Sequence, residues 1–133
     1  MDDWQAMAEY DVGIEKQLDA MGETQYAREA YEFALEVIEH APNYYEGLPT
    51  PPPFHRVHFH LTAEDYACCY LLHAKEVFEQ PLEMLTTWGL RTSNDIGNVV
   101  YELVAAGLII KRDGDSHEQF HGLFDIAQEL GAG

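Results

Sequence analysis

TSNDIGNVVYELVAAGLIIKRDGDSHEQFHGLFD (Thr92–Asp125) carries the plainest structural signal in the chain. Thr92 followed three residues later by Asp95 has the form of a helix N-cap with its reciprocal acid, and Ser93 stands beside it as a competing cap. From there Ile96, Val99, Val100, Leu103 and Val104 fall at i, i+3, i+4, i+7 and i+8. That spacing predicts a helix from Asn94 to Ala106 with one apolar stripe turned to a core. Gly107 supplies its end. Leu108 to Arg112 then reads as a strand, Asp113-Gly114 as a hairpin turn, and Gln119 to Asp125 as the returning strand. A short helix, Ile126 to Leu130, follows. The fold class expected from this stretch is α+β, mainly α, with a C-terminal β-hairpin.

Working upstream, Pro81 suits the first turn of a short helix, Leu82 to Trp88, and Gly89 its left-handed end. Thr62 with Asp65 repeats the capping pattern before a helix from Ala63 to Glu79. Arg56 to Leu61 alternates polar and apolar residues as a short strand does. The order helix, short helix, turn, helix, hairpin is that of a winged-helix-like domain. Earlier still, Ala27 to His40 has helical spacing at Ala30, Tyr31, Ala34, Leu35, Val37, Ile38 and Ala41, with Glu29, Glu32, Glu36 and Glu39 as its wet side. Asp11 to Ala20 reads as a shorter helix.

One break interrupts the chain. Pro42 to Pro53, PNYYEGLPTPPP, holds five prolines and a glycine in twelve residues, which removes backbone donors and fixes an extended loop. With 133 residues the expectation is one domain, made of a helical part (1–41), this loop (42–53) and a helical-plus-hairpin part (54–133).

Charge restricts the functions open to such a domain. The formal net charge is −17, with twelve acids against two bases in residues 1–50 and twelve against five in residues 51–133. Affinity for nucleic acid rests largely on Lys and Arg neutralising phosphates, so nucleic acid is excluded as an expected partner, and anionic membrane surfaces with it. On the helix that would enter a major groove, Ser93, Asn94, Asp95, Asn98 and Glu102 face out and only Arg91, at its start, is basic. No apolar run is long enough to span a bilayer and no basic-then-apolar leader opens the sequence, so a cytoplasmic protein is expected. Two adjacent cysteines, Cys68 and Cys69, cannot easily bridge and read as small buried hydrophobes in a reducing compartment.

No phosphate-cradling glycine loop and no nucleophile elbow is present, and nothing singles out one acid–base pair among 24 acids. Catalytic residues stay unassigned and the chain is not expected to be an enzyme. His55, His58 and His60 are the candidate metal ligands, since imidazole suits Zn²⁺ and His58 and His60 share a face of the short strand. A solvent-facing polar edge accounts for them without metal, so no cofactor is expected and Zn²⁺ is the alternative. His73, His117 and His121 read as isolated, structural histidines. Tyr44 and Tyr45 in the Pro-rich loop, with Trp88, are the candidate contacts for a protein partner.

The stretches YAREAYEFALEVIEH (Tyr26–His40) and WGLRTSNDIGNVVYELVAAGLI (Trp88–Ile109) resemble an uncharacterised family of small proteins from planctomycete and verrucomicrobial bacteria. The resemblance spans residues 10 to 125 and is most specific at Trp88-Gly89, Arg91, Asp95, Gly97 and the Ala106–Leu108 triplet. This chain departs from the family in its longer Pro-rich loop, in Ala63 where a glycine is expected, and in Ile96 where an aromatic is expected. The resemblance implies a bacterial cytosolic protein with no assigned activity and no catalytic residues to transfer. The function expected is a non-enzymatic protein-binding or regulatory module, with metal binding through His55, His58 and His60 as the alternative.

Overall fold

A computed structural model describes residues 15–40, 57–58, 62–110 and 114–131. It is mainly helical. Helical residues 15–20 form the described part of α1, followed by α2 (Arg28–His40), α3 (Ala63–Val77), α4 (Pro81–Thr87), α5 (Ser93–Ala105) and α6 (Ile126–Gly131). A 3₁₀ helix, His117–Phe120, lies between α5 and α6. None of the described helices is long and apolar enough to cross a membrane.

The central element is α2. Seven of its thirteen residues are buried: Ala30, Tyr31, Phe33, Ala34, Leu35, Val37 and Ile38. Burial on so much of the circumference follows from its packing against both α3 and α5. Its wet side carries Arg28, which pairs with Asp19 and Glu15 of α1 and with Glu32 one turn on. α5 buries Ile96, Val99, Val100 and Leu103, the stripe its sequence predicts, while Val104 is half-buried. One hydrophobic cluster takes side chains from all these helices, from Leu18 in α1 to Ile126 in α6.

The predicted caps form. Thr62 Oγ1 accepts from Asp65 N at 3.1 Å. Asp95 Oδ2 reaches back to the N–H groups of Arg91 and Thr92, at 2.8 and 3.2 Å. Pro81 opens α4, and Gly89 ends it at φ +97°, a backbone region L side chains avoid.

The expected C-terminal β-hairpin does not form, and the winged-helix reading goes with it. Residues 119–125 are a 3₁₀ turn and loop rather than a returning strand. Ile109–Ile110 (β2) pairs instead, in parallel, with Val57–His58 (β1), two residues on each side. The physical reason lies at the start of α5. Ser93, fully buried, donates its hydroxyl to Phe120 O at 2.6 Å and accepts from Leu123 N at 3.0 Å. Its own N–H bonds Phe124 O at 3.1 Å, Asn94 Oδ1 takes Gly122 N at 2.9 Å, and Ile126 N donates to Arg91 O at 2.9 Å. The polar groups a second strand would have offered to β2 are thus satisfied by residues 91–94. Phe120 can then turn fully inward, where it meets Tyr66 and Tyr101 edge-on with ring centroids at 6.2 and 6.3 Å.

Tyrosines tie α2 into place. Tyr66 and Tyr70 on α3 are fully buried and donate to Ala34 O and Ala30 O at 2.7 and 3.1 Å. Tyr31 donates to the Glu102 carboxylate on α5, and Tyr26 to Asp95 Oδ1 at 2.6 Å. Burial, the largest cause, raises all four phenols above the ordinary value of 10. Hydrogen bonding to a carboxylate adds to it at Tyr26 and Tyr31, and Tyr31 is pushed up to about 12. The folded chain therefore holds these protons more tightly than the unfolded chain, and alkali favours unfolding. Their contribution is whole well below pH 10, the ordinary value at which an unfolded tyrosine is half ionised, and drains away above it, for Tyr31 until about pH 12. A pH titration followed by phenolate absorbance and by circular dichroism should show these tyrosines ionising together with loss of helix. Independent ionisation near pH 10 with helix intact would contradict this packing.

Candidate functional site

The last two turns of α2 and the last two of α3 bring three ligating side chains together. Glu36 and His40 stand four residues apart on α2 and so share a face. His73 comes from α3, 3 % exposed, with its ring 5.2 Å from that of Phe33 and 4.6 Å from that of His40. Phe33 and His40 are two turns apart on α2, about 10 Å along the axis, and the His73 ring enters between them. Its Nε2 lies 3.0 Å from Glu36 Oε2. One donor atom from each of Glu36, His40 and His73 lies within 4.8 Å of the other two.

The electrostatic setting is graded. His73 is enclosed by aromatic rings, whereas the Glu36 side chain is 47 % exposed and His40 half-buried. The Glu36 carboxylate pairs with Nε2 of the buried His73 imidazole. The same three donors, two imidazole nitrogens and one carboxylate oxygen, form the set that holds borderline divalent cations. Donors around a tetrahedral Zn²⁺ stand about 3.3 Å apart, given bonds of about 2.0–2.1 Å. The donors here lie within 4.8 Å of one another, a wider limit than that spacing.

The residues singled out from sequence are placed otherwise. His55, His60, Tyr44 and Tyr45 lie outside the described residues. Of His58 only the backbone is described, paired with Ile110. Trp88 is buried, its ring 5.5 Å from Phe33 and 5.6 Å from Phe78, and so belongs to the core. His73, expected to be isolated, is the centre of the cluster. His117 stacks on Tyr101 at 5.1 Å and meets His121 at 5.5 Å. The signal that marks the site is the E-x-x-x-H spacing of Glu36 and His40 near the end of α2. Both residues were legible as one helical face, and only the crossing of α3 adds the third.

In comparisons with known protein families, curated proteins and solved structures, nothing matches this chain. Function therefore has to be read from its own chemistry.

Two other features bear on that chemistry. Cys68 and Cys69 are free thiols, both held above the usual range, first by burial, with Cys69 pushed up to about 12. Burial thus favours the neutral thiol at both positions. A cleft of about 570 Å³ opens beside α1, lined by Gln17, Met21, Thr24, Gln25 and Glu102 among others. Of its two acids, Glu23 and Glu102, the second is engaged by the Tyr31 hydroxyl, and the Thr24 hydroxyl beside them donates to Tyr26 O.

Proposed function

We propose that this chain binds a divalent transition-metal cation, Zn²⁺ foremost, through Glu36, His40 and His73. The observation that carries the reading is the convergence of two imidazoles and a carboxylate from two helices within 4.8 Å. Two nitrogen donors favour Zn²⁺, Co²⁺, Ni²⁺ or Cu²⁺ over Mg²⁺ and Ca²⁺, which prefer all-oxygen sites. A net charge of −17 raises the local concentration of cations of every kind, so selectivity has to come from the donors themselves.

Calorimetric titration of the metal-free chain with Zn²⁺ at moderate salt tests this. The expected result is one strong site per chain, retained in excess Mg²⁺. His40→Ala and Glu36→Gln, both at exposed or half-exposed positions, should each weaken it at least ~100-fold, because even outer partners of metal ligands are worth 10–100-fold. Substituting His55, His58 and His60 together should leave the affinity unchanged. Absence of stoichiometric binding would end the proposal, as would loss of binding in the triple variant with retention in His40→Ala.

A further inference from the structure

We infer that the cation acts as a clamp, joining the terminal turn of α2 to α3, so that the order of that turn follows metal availability. This rests on the metal-binding reading and adds what the metal does. Two of the three donors, Glu36 and His40, belong to the final stretch of α2, and His40 is its last residue. The final four carbonyls of any helix lack intrahelical partners, so a helix end such as this one frays more readily than the helix middle. The third donor is on the other side of the interface, and it is fixed. His73 is buried, wedged beside Phe33, and sits one turn beyond Tyr70, whose hydroxyl is bonded to Ala30 O. A cation bonded to all three therefore links an easily opened helix end to an anchored neighbour. Opening the end of α2 then requires breaking metal–ligand bonds.

The make-up of the site points to a conditional clamp rather than a permanent one. Structural zinc sites are closed by four protein ligands, commonly with cysteine among them. Here the described donors number three and include no thiolate, and one of them, Glu36, is half in solvent. Fewer and softer constraints mean weaker retention, so occupancy tracks the free cation. The turn that responds is the one from which the chain leaves α2.

Amide hydrogen exchange on the full chain, metal-free and with Zn²⁺ at about 100 times its dissociation constant, is the test. Amides of residues 37–40 should exchange up to ~100-fold more slowly with Zn²⁺, since openings that break the site are suppressed by the factor 1 + [Zn²⁺]/Kd. Amides of α4 and α6 should be unchanged. The protection should vanish in His40→Ala and should not appear with Mg²⁺. If calorimetry records stoichiometric Zn²⁺ and residues 37–40 exchange as before, the clamp is wrong and the site stands. If calorimetry records no binding, the site itself is wrong and the clamp falls with it. Uniform protection of all helices would also overturn the clamp, because it would mean the cation stabilises the whole fold and no particular turn.

Discussion

Gly97→Ala is expected to destabilise the chain by about 2 kcal/mol, although alanine is the better helix former. In an open helix interior the same change would gain about 1 kcal/mol. Here a Cβ at position 97 would stand 2.6 Å from Phe120 Cβ and 2.8 Å from its Cγ. A rotamer change can swing Cγ aside but not Cβ, which the backbone fixes, so the closest clash stays whatever rotamer the ring adopts. The 3₁₀ segment must draw back from α5, which stretches the Ser93–Phe120 hydrogen bond and the contacts of Phe120 with Tyr66 and Tyr101. Overpacking of this kind costs about 1–3 kcal/mol or somewhat more, enough to reverse the propensity gain. Urea unfolding followed by circular dichroism reads the effect as a lower midpoint. A midpoint at or above that of the parent chain would mean that α5 and the 3₁₀ helix are not in the close contact described.

Phe120→Ala should have the larger effect, a loss of about 3–5 kcal/mol. The ring is fully buried between α3 and α5. Since the whole stability of a domain this size is about 5–15 kcal/mol, the variant should melt far below the parent. The double variant Gly97→Ala with Phe120→Ala separates the two mechanisms. Alanine at 120 keeps its Cβ, so the closest clash at 2.6 Å remains and the double variant should be no more stable than Phe120→Ala alone. Full rescue by the second substitution would place the clash in the ring and refute this account. A loss below about 1 kcal/mol for Phe120→Ala would remove the residue from the core altogether.

Most of the helical architecture could be read from sequence, for reasons that are local. α5 announced itself through Ile96, Val99, Val100 and Leu103, and its start through Thr92 and Asp95, because periodicity and capping are decided within a few residues. The same holds for Thr62 at α3 and for Pro81 and Gly89 around α4. The segment 119–125 failed because its reading depended on a partner. Phe120, Leu123 and Phe124 follow Asp113-Gly114 and a β-branched run, which suggests a hairpin. They also stand at i, i+3 and i+4, the spacing of a helical turn, and Ser93 and Asn94 decide between the two by taking the backbone groups at 120–124.

The candidate site divides along the same line. Glu36 and His40 are neighbours by helix geometry alone, so their pairing was there to be read. Glu36 equally fits the charged side of an amphipathic helix, a role that needs no ligand. His73 could not be joined to them without the crossing of α3 over α2, a long-range fact with no counterpart in local pattern. Trp88 shows the opposite error. It reads with Tyr44 and Tyr45 as a contact for a partner, and the rings of Phe33 and Phe78 hold it in the core instead.

The place of Phe120 also sets an order of events during folding. α2, α3 and α5 all precede in sequence the ring that fills the space between α3 and α5. Without that ring Gly97 and Tyr66 present a bare groove, and native closure waits for the segment 120–126 to fold back on Ser93 and Arg91. A chain cut before that segment should expose the groove and aggregate.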